Sequence, residues 1–171
     1  MADRTKVGMV WAEQAAPHEN AAFIIRFHAS PLNVRDALRL LLGYLDPLDL
    51  PIDQVATIQI VLAEVLNNVT EHAYDSDGGL ICMQANVVEA GLSVTIRDRG
   101  AALPPKLILS EGSGGFDPQA LPEGGFGWHL IRSLASELAH CRQARWNELK
   151  IVFSLGGPQS DELPLNRPNP F

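Results

Sequence analysis

Three polar side chains that could carry chemistry recur at four-residue spacing within one apolar stretch: Glu64, Asn68 and His72. At about 100° per residue, this spacing predicts that they lie in file along one border of a helix, beside a core stripe of apolar residues. A carboxylate and an amide one turn apart suit a hard cation such as Mg²⁺, which takes oxygen ligands and retains water. A carboxylate beside a metal–phosphate group could also orient or deprotonate an attacking hydroxyl. Taken alone, the file is equally typical of a solvated helix edge.

Two further motifs follow along the chain. Asp98-Arg99-Gly100 comes directly after a predicted strand, where the carboxylate could accept a hydrogen bond from an exocyclic amine such as that of adenine. Gly124-Gly125-Phe126-Gly127 stands directly before a predicted helix, where glycines free backbone N–H groups to face an anion. The competing interpretations are a plain turn for the first motif and an ordinary helix-start turn for the second.

The elements that must position these groups follow from apolar periodicity and turn signals. Ser30 and Pro31 mark the N-cap and first position of a helix that ends near residues 44–46. Further helices are predicted at residues 51–73 and from Gly127, and strands at residues 22–29, 80–88, 92–97, 139–144 and 148–155. This order predicts an α+β fold: a two-layer sandwich with the helices packed on one face of a mostly antiparallel sheet.

The chain divides into one domain with two irregular ends. Residues 1–20 lack periodicity and are predicted to be a mobile N-terminal arm, within which residues 7–11 could add an edge strand. Residues 21–155 form the predicted domain. Within it, the Gly- and Pro-rich residues 101–126 are typical of a lid over a binding site. Residues 156–171 are predicted to be a disordered tail.

Composition excludes several classes of function. The 171 residues carry a net charge of −7 with no cluster of Lys or Arg, so nucleic acid is a poor partner. No apolar run approaches the roughly 20 residues that span a bilayer, and the N-terminus does not resemble a signal peptide. Cys82 and Cys141 have no metal-site spacing and are predicted to be buried free thiols in a cytoplasmic protein.

In order and spacing, these motifs resemble those of the GHKL (Bergerat-fold) ATPases, and specifically the small anti-sigma-factor serine/threonine kinases of partner-switching systems. Glu64-x-x-x-Asn68-x-x-x-His72 matches the N box of that family, and Asp98-Arg99-Gly100 matches its first glycine box. Gly125-Phe126-Gly127-x-His129 opens a match to its second glycine box. The resemblance covers residues 20–155 and implies a Bergerat ATP-binding fold with ATP and Mg²⁺ as ligands.

The resemblance also implies roles for individual residues. Asn68 would bind Mg²⁺, Glu64 would be the catalytic base, and Asp98 would hold the adenine amine. Gly100 would flank the base, and Gly125 and Gly127 would contact the phosphates.

The roles of other matching residues stay open. His72 and His129 match the family pattern, but each has a packing or solvent-facing alternative, as does Arg132. Relatives often carry threonine or serine near the nucleotide where this chain has Lys150, which could approach a phosphate or point outward. The glycine-rich lid is also looser than the proline-rich lids expected in relatives.

Three functions are compatible with these motifs. The first is Mg·ATP-dependent phosphorylation of a STAS-domain anti-sigma-factor antagonist, which would release this protein to bind a sigma factor or another regulator. The second is a non-catalytic ATP-binding module that sequesters a partner. The third is a detached histidine-kinase catalytic domain, disfavoured because the region before the N box offers no phosphoacceptor histidine in a long dimerisation helix and His28 lies in a predicted strand. Relatives often form homodimers, and the strand at residues 22–29 is a candidate edge for one.

Overall fold

The computed structural model describes residues 3–7, 10–14, 22–74, 78–89, 91–103 and 125–155. Most of the predicted lid and the whole predicted tail lie outside these residues. The strands are β1 (Asp3–Val7), β2 (Val10–Gln14), β3 (Ala22–His28), β4 (Leu80–Val88), β5 (Gly91–Asp98), β6 (Glu137–Gln143) and β7 (Trp146–Phe153). The helices are α1 (Pro31–Leu45), α2 (Ile52–Asn68) and α3 (Gly125–Leu134), with a 3₁₀ turn at Asp46–Leu48 and a π turn at Val69–Ala73.

The strands form one antiparallel sheet in the order β1-β2-β3-β4-β5-β7-β6. Its register aligns Ile25, Met83, Ile96 and Leu149 in one row across four neighbouring strands, and all four are buried. Because alternate residues of a strand face the same side, this face of the sheet is apolar and is covered by the helices. The predicted two-layer α+β sandwich is confirmed.

The N-terminal segment departs from the prediction. Residues 3–7 and 10–14 form a hairpin that pairs with β3, in place of an arm with a single edge strand at residues 7–11. Val7 is the last residue of β1, and Val10 and Trp11 begin β2. Strand pairing uses backbone N–H and C=O groups, so a segment without side-chain periodicity can still extend a sheet from its edge.

Helix α1 begins and ends where the turn signals indicate. The Ser30 hydroxyl accepts a hydrogen bond from Asn33 N at 3.2 Å, and Pro31 occupies the first position of the helix. The helix ends at Leu45, and Pro47 lies in the 3₁₀ turn that follows. Its buried residues include Tyr44, whose ring lies 5.1 Å from that of Phe23 and ties α1 to the sheet.

Helix α2 carries the Glu64–Asn68 pair and is held by a fully apolar stripe. Ile58, Val61, Leu62, Val65 and Leu66 are all buried, as the periodicity predicts. The predicted helix at residues 51–73 changes geometry after residue 68, where the π turn replaces the α-helical pattern.

The last hairpin turns earlier than predicted. Gln143 pairs with Trp146, so Ala144 and Arg145 form the turn and residues 146–147 belong to β7. Ala144 adopts φ 54°, a left-handed conformation that glycine or asparagine usually signals. With neither residue present, the sequence carries no marker of this turn.

The second face of the sheet is not covered by α1, α2 or α3. It carries the ion pair between Arg97 and Glu148 at 2.6 Å, together with the exposed Lys150. Both cysteines are free, as predicted, but they are not buried: Cys82 is half-buried and Cys141 is exposed. The prediction of burial was wrong because their neighbours in the strand alternation, Ile81 and His140, take the helix-facing positions.

Candidate functional site

Gly127, near the start of α3, lies beside Glu64 and Asn68 at the end of α2. A Cβ built on Gly127 would lie 2.7 Å from Glu64 Oε2 and 3.6 Å from Asn68 Nδ2. The first distance is too short for any real side chain, so the absence of one at Gly127 lets the carboxylate approach the α3 backbone. The structure therefore brings the N box and the second glycine motif into direct contact.

Asn68 provides a buried polar atom without a bonding partner. Its Nδ2 is buried and has no hydrogen-bond partner among the described residues. Leaving a buried amide unpaired costs on the order of 1–3 kcal/mol, so such a group is typical of a position that a ligand completes. The neighbouring Asn67 is exposed, so of the two adjacent asparagines only Asn68 has this buried amide.

His72 lies beyond the end of α2, in the π turn at Val69–Ala73. The side chain is exposed, and packing behind Asn68 is not its position. A role of His72 toward a nucleotide stays a prediction.

Asp98 is a buried carboxylate at the end of β5, with 3% of its surface exposed. Its Oδ1 accepts hydrogen bonds from Gly100 N at 2.8 Å and from Asn147 Nδ2 at 2.9 Å. It lies on the helix-facing side, in the same alternation as Ile96. Two N–H donors on one oxygen hold the carboxylate at this end of the sheet in a defined orientation.

Asn147 and Arg142 were missed in the sequence analysis. Asn147 was assigned to a turn, but it lies in β7 with 2% exposure and donates its second N–H to Ala101 O at 2.9 Å. Arg142 Nη1 donates to Asn147 Oδ1 and, at 3.2 Å, to Gly100 O. A signal was present: counting back in twos from the apolar Ile151 places residue 147 on the helix-facing side.

Gly100 has a packing role that the Asp98-Arg99-Gly100 motif alone does not indicate. A Cβ at this position would lie 2.2 Å from the Ala73 carbonyl oxygen, and Ala101 N donates to that same oxygen at 2.7 Å. The Tyr74 hydroxyl accepts from Arg99 N at 3.0 Å and donates to Leu80 O at 2.9 Å. These contacts fix the end of the α2 segment against the Asp98-Arg99-Gly100 turn. Burial raises the pKa of Tyr74, which keeps the hydroxyl protonated as a donor.

The remaining predicted site residues lie around the start of α3. Gly125 is the first residue of this helix, and Trp128, one position past Gly127, is buried against the core. His129 is exposed and Arg132 is half-buried; each makes contacts within the protein. Their roles toward a nucleotide stay predictions.

Lys150 lies on the face of the sheet away from this site. Its strand neighbours Leu149 and Ile151 are buried under the helices, and strand alternation therefore turns Lys150 to the opposite side. Of the two predicted alternatives for Lys150, this orientation excludes an approach to a phosphate at this site. Leu149 and Asn147 take the positions that face the site.

A titratable group adjoins the Asp98 network. His140 lies in β6 on the helix-facing side, and its Nε2 is buried with no hydrogen-bond partner among the described residues. Burial lowers the pKa of His140, the Asp98 carboxylate opposes this shift, and the Arg142 guanidinium reinforces it. The imidazole is therefore biased toward its neutral form.

This fold and these motifs define an α+β sandwich of the ATPase type, with a carboxylate–amide pair on one helix facing the glycine-bearing start of another. The histidine kinase-like ATPase domain matches residues 27–153, and the chain belongs to this family. Among the described residues, no helix has the length and apolar character needed to cross a membrane.

Named relatives are distant. The chain is 28% identical over 90 residues to the serine-protein kinase RsbW of Bacillus cereus, a match covering 50% of this chain and 56% of the relative. It is 30% identical over 89 residues to RsbW of Halalkalibacterium halodurans, covering 50% and 54%. The chain thus matches about half the length of these relatives.

A solved structure shares the fold. The RsbU and RsbW domains of Rv1364c from Mycobacterium tuberculosis align with a TM-score of 0.53 at 18% identity. The alignment covers 78% of this chain and 33% of that one.

Proposed function

We propose that this protein binds Mg·ATP and transfers the γ-phosphoryl group to a serine or threonine of a STAS-domain anti-sigma-factor antagonist. The observation that carries the proposal is the contact between the α3 backbone at Gly127 and the Glu64–Asn68 pair. The N-terminus of a helix favours anionic groups, so phosphates placed there would lie beside a carboxylate and an amide. Membership of the histidine kinase-like ATPase family and similarity to RsbW kinases support this assignment.

Glu64 and Asn68 have different parts in the proposed reaction. Glu64 accepts the proton of the attacking serine or threonine hydroxyl. The hydroxyl oxygen bonds to the γ-phosphorus, and the bond from that phosphorus to the bridging oxygen breaks, which releases ADP. Asn68 would hold Mg²⁺ through its side-chain oxygen, since its unpartnered Nδ2 can only donate hydrogen bonds. The metal supplies charge neutralisation at the phosphates.

Asp98 and the glycines provide nucleotide binding in this proposal. The buried Asp98 carboxylate accepts a hydrogen bond from the exocyclic amine of adenine, next to Gly100. Gly125 and Gly127 offer backbone N–H groups to the phosphates at the start of α3. His129 lies about one helical turn after Gly125 and is a further candidate for phosphate contact.

The proposed output is partner switching. A phosphate on the antagonist adds a charge of about −2 at its interface and breaks the complex, leaving this protein to bind a sigma factor or another regulator. Two free cysteines fit a reducing compartment, and the proposal places this cycle in the cytoplasm.

The test is phosphoryl transfer from radiolabelled ATP with Mg²⁺ to a purified STAS-domain protein of the same genome. Glu64→Gln should lower the transfer rate by at least about 10²-fold while leaving ATP affinity within a few-fold. Glu71→Gln, an exposed carboxylate two turns along, is the matched control and should transfer at the wild-type rate.

The outcomes separate the candidate functions. ATP binding by the wild type without transfer to serine or threonine would leave a non-catalytic module that sequesters its partner. Absence of ATP binding, measured by calorimetry on the full chain, would reject both functions.

A further inference from the structure

Three polar residues lie in one row across the last three strands of the sheet. Asp98 pairs in register with Asn147, and Asn147 pairs with Arg142. All three occupy helix-facing positions, since they alternate with residues of the opposite face such as Arg97 and Glu148. The row therefore runs from the buried carboxylate of the candidate site to the edge strand β6.

Hydrogen bonds connect the members of this row without interruption. Arg142 donates to Asn147 Oδ1 and to Gly100 O, while the Asn147 amide donates to Asp98 Oδ1 and to Ala101 O. The amide of Asn147 thus uses both its N–H groups and its oxygen. The turn from Asp98 to Ala101 is held at its carboxylate and at two carbonyls.

The orientation of the Asn147 amide follows from its neighbours. Its oxygen faces a guanidinium, which can only donate, and its NH₂ group faces a carboxylate, which can only accept when ionised. A flipped amide would place two hydrogen-bond donors together at Arg142 and two acceptors together at Asp98. Arg142 therefore acts together with the acceptors Asp98 and Ala101 O to hold the NH₂ end of Asn147 toward Asp98.

We infer that Arg142 is a positioning residue for base recognition, acting through Asn147 on the Asp98 carboxylate. This inference rests on the proposed ATP-binding function. With Oδ1 held by Asn147 Nδ2 and Gly100 N, the plane of the carboxylate is fixed, and Oδ2 is assigned to the exocyclic amine of the base. Arg142 needs no contact with the nucleotide for this effect.

The side chains of this row differ in how safely they can be changed. Asn147 is 2% exposed, and its replacement by an apolar residue would leave the Asp98 carboxylate short of a partner in the core. Arg142 is an exposed residue of an edge strand, so its truncation leaves the buried core intact. Arg142→Ala is therefore the informative substitution.

The test compares two nucleotides on the full chain by calorimetry in Mg²⁺: ATP, and purine riboside triphosphate, which carries hydrogen where adenine carries its amine. Arg142→Ala should weaken ATP binding by about three- to tenfold, the loss typical of one hydrogen bond, and leave the analogue unchanged. Discrimination between the two nucleotides should fall by the same factor. Arg142→Lys, which keeps the charge but not the fork of donors, should behave like Arg142→Ala.

Arg145→Ala provides the matched control, because Arg145 is an exposed arginine in the adjoining turn. It should leave both affinities at wild-type values. Equal weakening of both nucleotides by Arg142→Ala, or no change in either, would overturn the positioning role while the proposed function stands. A wild type that binds neither nucleotide would instead reject the proposed function itself.

Discussion

Gly127→Ala places one methyl group between Glu64, the candidate catalytic base, and the backbone at the start of α3. The new Cβ would lie 2.7 Å from Glu64 Oε2, whereas ordinary contact begins at 3.4 Å, so the carboxylate must retreat by about 0.7 Å. Asn68 Nδ2, at 3.6 Å, already lies at ordinary contact distance and need not move. Misplacement of a catalytic group by about 1 Å can cost about 10²-fold in rate.

The expected result is a loss in kcat with little change in binding or stability. A shift of this size should lower the phosphoryl-transfer rate by about 10- to 100-fold, equivalent to about 1.4–2.7 kcal/mol in the barrier. ATP affinity should stay within about threefold, because Asn68 and Asp98 are untouched. Alanine is favoured over glycine inside a helix by about 0.5–1 kcal/mol, which offsets the cost of moving Glu64.

The assay pairs single-turnover transfer of radiolabelled phosphate with thermal unfolding. Gly43→Ala is the control: a Cβ there meets nothing within 4 Å, so it reports helix propensity alone. Wild-type transfer by Gly127→Ala would refute the placement of Glu64 at the reacting group. A Tm for Gly127→Ala well below that of Gly43→Ala, with transfer lost only in proportion to unfolding, would show that the contact is structural rather than catalytic.

Two further outcomes follow from the contacts around Asp98. Gly100→Ala should lower the free energy of unfolding by about 1–3 kcal/mol, because its Cβ would lie 2.2 Å from the Ala73 carbonyl oxygen; an unchanged urea midpoint would contradict this. Burial lowers the pKa of His140, with Asp98 opposing and Arg142 reinforcing the shift, so the unfolded chain takes up the proton first as pH falls. The free energy of unfolding should therefore decrease as pH drops through about 6.5, and His140→Asn should flatten that dependence in urea curves at pH about 8 and 5.5. Identical pH dependence in the two proteins would rule this out.

Most of the fold is predictable from local signals. Periodicity and turn residues identify α1, α2 and the β4–β5 hairpin to within a few residues, because each buries one apolar face and ends at residues such as Pro47. Local sequence signals do not predict the β1–β2 hairpin, because its position depends on backbone pairing with β3. The turn at Ala144 was also missed, because no residue type marks its left-handed backbone.

The candidate site was predictable in its motifs but not in its connections. Spacing in an α-helix places Glu64 and Asn68 together, whereas the predicted continuous helix at residues 51–73 gives no sign of the π turn at Val69–Ala73. Asn147 is separated from Asp98 by 49 positions, and only the strand order brings them to hydrogen-bond distance. Burial of polar groups depends on such long-range pairing, which local patterns do not encode.

The exposure of Cys141 gives the protein a built-in reporter position. Of its two thiols, Cys141 is exposed and Cys82 is half-buried, so a maleimide dye should react with Cys141 first. Neighbouring residues of a strand face opposite sides, so this dye would lie behind Arg142, on the side of the sheet that the helices leave uncovered. The proposed nucleotide binding can then be tested by fluorescence of the native sequence, with the label one residue from Arg142 and on the opposite face of the sheet from Asp98.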